Sequence, residues 1–133
     1  MTSVLAEKTC TPCRGGTPPL TVEEAEAYHV QAPEWLLRDE TTRIERTYRF
    51  RDFGDAFAFV RSAGELAEAE FHHPDISFGW GYATVSLRTK KIRGLHENDF
   101  IMAVKLDRLA GEISTADNRA SNSGGHRMPD SAH

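Results

Sequence analysis

Hydrophobic and polar residues follow two different periods in the middle of the chain, and these periods predict both helices and strands. Apolar residues spaced three and four apart indicate a helix with one buried face, whereas strict alternation indicates a half-buried strand. The first helix begins with the capping box formed by Thr21 and Glu24. It is predicted to stop near Ala32, because Pro33 disfavours helical backbone in the residue before it.

Two pairs of strands are predicted between the helices. Residues 35–37 form a short strand, and residues 43–50 alternate between apolar and polar side chains. Residues 76–89 return to a strand pattern that Gly79 and Gly81 divide in two. The element order is therefore helix, two strands, helix, two strands, helix. This order predicts an α+β domain, with a four-stranded antiparallel sheet covered by helices on one face.

The second and third helices differ in their apolar faces. Asp52 caps the second, which keeps one helical stripe to about Glu70. The third has Glu97 and Asp99 in its first turn, where the helix dipole favours negative charge. It carries two apolar stripes, one of Phe100, Ala103 and Val104 and one of Met102, Leu106 and Leu109. The second stripe indicates either contact with another subunit or deeper burial within the chain, and the pattern leaves both open.

The two ends of the chain lack this periodicity. Residues 1–19 predict a flexible N-terminal arm broken by glycine and proline, and residues 114–133 predict a disordered polar tail. The domain is thus expected over residues 20–113. With 133 residues, a net charge of -4 and no basic stripe, one domain without a nucleic-acid partner is expected. No apolar run is long enough for a membrane span, and no secretory signal is evident, so a cytoplasmic protein is expected.

The stretch EFHHPDI carries the candidate chemistry, because it places two histidines after the second helix. Histidine titrates near neutral pH, so His72 and His73 could supply one proton donor and one acceptor. Pro74 holds His73 in an extended conformation. Glu68 lies four residues before His72 and could reach it if the helix continues that far. Histidines at helix ends also commonly bond terminal carbonyls, so the residues alone leave the catalytic and structural interpretations open.

A metal site has less support from the sequence. Adjacent histidines point in different directions, and structural zinc usually takes four ligands at characteristic spacing. Cys10 and Cys13 supply two further ligand types, but they lie in the arm. Two reduced thiols are a simpler interpretation of this pair than a metal or redox site. No metal is therefore expected.

Several motifs together resemble the pterin-4a-carbinolamine dehydratase family over residues 20–109. They are EFHHPDI with its preceding Glu68, GLHENDF, RTYRFRDF and PEW, in this family's order. The resemblance implies an antiparallel sheet with helices on one face, a homodimer or homotetramer, and no required metal or other cofactor. It also implies a pterin as substrate or ligand, with loss of water from a 4a-hydroxytetrahydropterin. The implied catalytic residues are His72 and His73, with supporting or pocket roles for Glu68, Pro74, Trp35 and Asp99.

One position departs from the family pattern. The resemblance implies a third catalytic histidine where this chain has Lys90, which is a proton donor and not an acceptor at neutral pH. Together with the stretches CTPCRGGTPPLT and TKKIRGLHENDF, this departure makes the chain resemble one branch of the family. That branch consists of dehydratase-like Rubisco assembly factors of alpha-carboxysomes. That resemblance favours a non-catalytic chaperone that binds the Rubisco large subunit and is associated with carboxysomes. The alternative is an active 4a-hydroxytetrahydrobiopterin dehydratase that recycles tetrahydrobiopterin.

Overall fold

A computed structural model describes residues 4–12 and 15–122, with side chains as far as residue 113. Its helices and strands are α1 (Val22–His29), β1 (Leu36–Arg38), β2 (Arg43–Arg49), α2 (Phe53–Glu70), β3 (Asp75–Gly79), β4 (Tyr82–Leu87) and α3 (Glu97–Asn122). Two single 3-10 turns, Leu5–Glu7 and Lys90–Ile92, lie in the arm and before α3.

The four strands form one antiparallel sheet in the order β1-β2-β4-β3. Buried side chains of β2 and β4 share its helix-covered face, where Ile44 lies opposite Leu87 and Tyr48 opposite Ala83. The other face is polar, as the hydrogen bond between the Thr47 and Thr84 hydroxyls shows. The hairpin between β3 and β4 turns at Gly81, whose positive φ of 81° suits glycine. The α+β fold predicted from the sequence is confirmed.

Helix α2 has the limits that the sequence predicts, and its C-terminus determines where the histidines lie. Asp52 accepts the Asp55 N–H at the N-terminus. At the other end, Phe71 adopts the left-handed conformation with φ of 55°, and its N–H bonds the Ala67 carbonyl. This αL cap ends the helix and redirects the chain into β3. His72 therefore leaves the direction of α2 at once, at the junction between the helix and the sheet.

Both apolar stripes of α3 are largely buried within this chain, with Val104 and Leu109 partly buried. Phe100, Met102 and Leu106 are all fully buried, and α3 contacts α1, α2 and the 3-10 turn at Leu5–Glu7. This burial favours the interpretation that α3 is deeply buried within the domain. It gives less support to the alternative, in which the second stripe contacts another subunit. No helix in the described part of the chain is long and apolar enough to cross a membrane.

The arm packs against the domain over its described residues 4–12, where the sequence predicts a flexible segment. Leu5 is only 1% exposed, and its N–H donates to Gln31 Oε1 at 3.1 Å. Further along, Asn98 holds both backbone groups of Thr11, accepting its N–H at 3.0 Å and donating to its carbonyl at 2.6 Å. The arm folds onto the domain because a buried leucine and specific backbone hydrogen bonds anchor it.

The C-terminal boundary also differs from the expectation. Helical backbone continues to Asn122, beyond residue 113 where the domain was predicted to end. The disordered tail stays a prediction, and residues 123–133 lie outside the described residues.

Candidate active site

His72 pairs with a fully buried carboxylate. Its Nε2 lies 2.6 Å from Asp99 Oδ1, and its side chain is 11% exposed while that of Asp99 is 0% exposed. The second carboxylate oxygen accepts the Thr89 hydroxyl at 2.9 Å and the His96 N–H at 3.0 Å. A buried carboxylate needs such donors to offset its lost hydration. The arrangement fixes the ring orientation of His72 and leaves Nδ1 as the nitrogen for proton exchange.

The turn before α3 explains why Asp99 lies at this place. Asp99 is in the first turn of α3 and accepts the N–H of His96 just before the helix, as the acidic residue of a capping box does. His96 in turn accepts the Asn98 N–H at its Nδ1, at 3.0 Å. His96 therefore caps the helix. This contact accounts for the position of His96. His96 is therefore not assigned the role of the third histidine that the family pattern implies.

His73 forms a second, exposed pair. Its Nε2 lies 2.6 Å from Glu68 Oε2, and the two side chains are 54% and 79% exposed. The contact expected between Glu68 and His72 required the helix to continue to His72, but α2 ends at Glu70 and Glu68 pairs with His73 instead. Phe71 adopts the αL conformation and ends the helical spacing. His72, four positions after Glu68, therefore turns away from it, and His73 faces it. Exposed pairs of this kind contribute little to stability.

Both histidines open onto one cavity of about 710 Å³. Its walls are residues 9–12 of the arm, residues 69–73 at the end of α2, residues 88–91 after β4, and Asn98. This volume is in the range of small-molecule sites. Lys90 lines this cavity together with His72 and His73. Its side chain is 66% exposed, and its Nζ lies 3.9 Å from Asp75 Oδ1.

Sequence reasoning missed a partly buried ion pair in the same cavity wall. Glu70 accepts the Lys105 ammonium at 2.6 Å and the Cys10 N–H at 2.7 Å. Burial alone would raise the pKa of Glu70, but these two donors outweigh it and lower that pKa. Burial, followed by the neighbouring Glu70, raises the pKa of the Cys10 thiol to about 12. Cys10 is thus a protonated thiol that helps seat the arm, whereas Cys13 lies outside the described residues.

Two residues named as supporting the site lie apart from the cavity. Trp35 is fully buried in the core, and its indole N–H donates to Asp107 Oδ1 at 3.0 Å. The same oxygen accepts Arg46 at 2.8 Å and the Tyr48 hydroxyl at 2.5 Å. Burial, and then Asp107, raise the pKa of Tyr48. The assignment of Trp35 to the pocket is therefore wrong, because this cluster joins the sheet to α3.

Pro74 is likewise absent from the cavity lining and directs the chain into β3. Within the ranges 4–12 and 15–122, no group of three or more histidine, cysteine or acidic residues has an arrangement that could hold a metal ion.

Comparisons with known proteins agree on the family. The family model described as Pterin 4 alpha carbinolamine dehydratase matches residues 18–109. Proteins named "Putative pterin-4-alpha-carbinolamine dehydratase" from Methylococcus capsulatus and Azoarcus sp. are 59% and 60% identical. The alignments cover 81% and 84% of this chain and 95% and 96% of those proteins.

Solved structures show the same fold. A transcriptional coactivator/pterin dehydratase from Brucella melitensis has a TM-score of 0.67 at 32% identity, covering 70% of this chain and 99% of its own. A pterin dehydratase-like protein identified as a RuBisCO assembly factor in the alpha-carboxysome has a TM-score of 0.52 at 24% identity. It covers 59% of this chain and 90% of its own, and at this identity the likeness concerns the fold alone. The chain belongs to the pterin-4a-carbinolamine dehydratase family.

Proposed function

We propose that this family member is an active dehydratase of 4a-hydroxytetrahydropterins. In this reaction the C4a–O bond breaks, the hydroxyl takes a proton from an acid and leaves as water, and a base removes the proton from N5. The product is the quinonoid dihydropterin, and no electrons are gained or lost overall. The reaction therefore needs one proton acceptor and one proton donor at a bound pterin, and the protein has two imidazoles at the cavity.

The pairing of His72 with Asp99 is the observation that carries this proposal. A buried carboxylate that accepts from Nε2–H holds the neutral ring with an unprotonated Nδ1, and it stabilises the imidazolium that forms when Nδ1 takes a proton. His72 is assigned as the base. His73, which pairs with the exposed Glu68 at the cavity mouth, is assigned as the donor to the leaving hydroxyl.

Lys90 does not disrupt these pairs. Its ammonium lies at the rim, where it is mostly exposed and directed toward Asp75. Each histidine keeps its own carboxylate at 2.6 Å. The loss of a third histidine at an exposed position is therefore compatible with catalysis. The relatives that are about 60% identical also carry dehydratase names, which supports the catalytic proposal over the one that the motifs first favoured.

The test follows the decay of a freshly generated 4a-hydroxytetrahydropterin by its absorbance. The protein is expected to accelerate this decay above the spontaneous rate, and His72→Ala is expected to return it close to that rate. Arg61→Ala changes an exposed residue of α2 and serves as the control, which should keep the acceleration. An unchanged spontaneous rate with the folded wild-type protein would refute the proposal.

A Rubisco assembly role is a second candidate, favoured by the specific replacement that puts Lys90 and a basic rim at the cavity mouth. It would place the protein with carboxysomes and give it the Rubisco large subunit as partner. Co-expression with Rubisco subunits would then increase the yield of assembled enzyme. Unchanged yield, together with the absence of co-purification, would exclude this role.

A homodimer or homotetramer also stays a proposal. Its support in the structure is a cluster of exposed or partly exposed aromatic rings on α2 and β3, formed by Phe53, Phe57 and Phe78 with centroids 5.5 to 6.3 Å apart. Exposed apolar patches commonly mark contact surfaces. Light scattering of the purified protein measures the assembly, and a monomer at all concentrations would contradict it.

A further inference from the structure

The cavity lining carries more positive charge than the proposed reaction requires. Arg88, Lys90 and Lys91 all line it. The carboxylate that lines it, Glu70, is already neutralised by the Lys105 ammonium at 2.6 Å. Dehydration transfers protons at the ring of a pterin and needs no cation at the cavity mouth. The lining therefore has unused capacity for a negatively charged group.

The backbone that carries these cations is held in fixed relation to the catalytic pair. Lys90 and Lys91 belong to a single turn that is closed by the Thr89 N–H donating to the Gly94 carbonyl at 2.8 Å, and Arg88 directly precedes this turn. Thr89 is buried, and its hydroxyl donates to the same Asp99 that holds His72. The backbone of the basic turn is thus anchored to Asp99, the carboxylate that holds the proposed base. Its long side chains remain exposed and free to adjust to a ligand.

The nearby carboxylates leave the charge of Lys90 and Lys91 largely uncompensated, whereas Arg88 interacts electrostatically with the Asp39 carboxylate. Asp75 Oδ1 is 3.9 Å from Lys90 Nζ, a long contact between side chains that are 73% and 66% exposed. Glu68 is engaged by His73. Exposed ion pairs at such distances are weak and are readily exchanged for a better anion. The cavity volume of about 710 Å³ is also in the upper half of the usual range for ligand sites, so there is space for a substituent beyond a bicyclic ring.

We propose that the natural substrate is a pterin with an anionic substituent, and that Lys90, Lys91 and Arg88 bind that anion at the cavity mouth. The inference rests on the proposed dehydratase function, because it specifies the substrate of the same site. The shared chemistry is a phosphate or carboxylate group on the side chain of the pterin. On this account Lys90 determines specificity at the position where a third histidine is missing.

The experiment measures binding of three stable pterins by calorimetry at low salt. The probes are dihydroneopterin, its monophosphate, and dihydrofolate, which have a neutral, a phosphate and a glutamate side chain. The wild-type protein is expected to bind at least one anionic probe about tenfold or more tightly than the neutral one, with the difference shrinking as salt screens the charges. The anionic probe that binds more tightly identifies phosphate or carboxylate as the recognised group.

The variant for this test is the double substitution Lys90→Gln with Lys91→Gln, in which the ratio of anionic to neutral affinity is expected to fall close to one. Arg61→Gln removes the same kind of charge from the exposed side of α2 and should preserve the ratio. Equal affinity of the wild type for neutral and anionic probes would overturn the inference, as would an unchanged ratio in the double variant.

Failure of the inference can be distinguished from failure of the dehydratase proposal. Decay of a neutral 4a-hydroxytetrahydropterin is measured with the same preparations. Catalysis without any charge preference overturns the anionic substituent alone. Charge-selective pterin binding without any catalysis overturns the dehydratase proposal and supports the anion site as a binding site.

Discussion

Replacing Asp99 with asparagine tests the proposed base directly, because it removes the charge and keeps the shape. Asp99 is fully buried and accepts hydrogen bonds from His72, Thr89 and His96. The amide oxygen of asparagine can still accept from Thr89 and from the His96 N–H, which share one carboxylate oxygen. The amide NH₂ then faces Nε2 of His72. Since two donors cannot pair, the ring must move its proton to Nδ1, and the nitrogen assigned as base becomes a donor.

The expected loss is therefore mainly catalytic. General acid–base catalysis typically contributes about 10²- to 10⁴-fold, so kcat is expected to fall about 10²- to 10³-fold. This fall corresponds to about 3 to 4 kcal/mol of transition-state stabilisation. Loss of a charge-assisted hydrogen bond in a buried site should also lower the free energy of unfolding by about 1 to 3 kcal/mol. The variant should remain folded, because the other two hydrogen bonds survive.

The assay is stopped-flow decay of a 4a-hydroxytetrahydropterin, run beside urea denaturation of the same samples. Thr89→Val is the matched control, because it removes one donor to Asp99 and leaves both the carboxylate and the pair with His72. It is expected to change kcat less than about fivefold while costing about 1 kcal/mol of stability. Wild-type kcat in folded Asp99→Asn would refute the tautomer argument. Equal losses of kcat in both variants would assign Asp99 to packing alone.

Three further predictions test the arm, the core cluster and the thiol. Leu5→Ala should lower the free energy of unfolding by about 2 to 4 kcal/mol, whereas exposed Val4→Ala should cost less than about 0.5 kcal/mol; equal costs would contradict the packing of the arm. Asp107→Leu should cost about 2 to 4 kcal/mol in urea denaturation, since buried indole and phenol donors lose their acceptor, and a cost near zero would contradict that role. In a Cys13→Ser background, Cys10 should react with iodoacetamide about 10³-fold more slowly at pH 8 than an ordinary thiol, because its raised pKa of about 12 leaves little thiolate. Its rate should rise about tenfold per pH unit up to about pH 11, and a plateau below pH 10 would contradict the raised pKa.

The elements that the sequence predicted well have strong local signals at their ends. The capping box at Thr21 forms both of its hydrogen bonds, and Asp52 accepts the N–H of Asp55 as expected. The chain turns between β3 and β4 at Gly81, where the positive backbone φ favours glycine. Such signals act within a few residues, so a single sequence contains them. The fold follows from these ends together with the periodic apolar faces.

The misjudged contacts depend on backbone conformation or on residues distant in the chain. Glu68 meets His73 because Phe71 adopts a left-handed conformation that a helical count cannot anticipate for a phenylalanine. Leu5 is buried although nothing periodic surrounds it, since its partners lie in α3 and near Gln31. Trp35 is directed to Asp107, 72 positions away in sequence, so its core location was not visible from its neighbours. Such contacts are decided by tertiary packing.

The double role of Asp99 explains why the site can change at Lys90 and keep its central pair. Asp99 accepts the N–H of His96 as part of the start of α3, so its position is fixed by the helix as well as by His72. The α3 core, with Phe100 fully buried beside it, then fixes the helix. The side chain at position 90 is mostly exposed on the adjoining turn and takes no part in that support. Under the proposed substrate specificity, substitutions there alter which substituent the cavity accepts and leave the proposed base in place, because the orientation of His72 depends on a different and buried set of contacts.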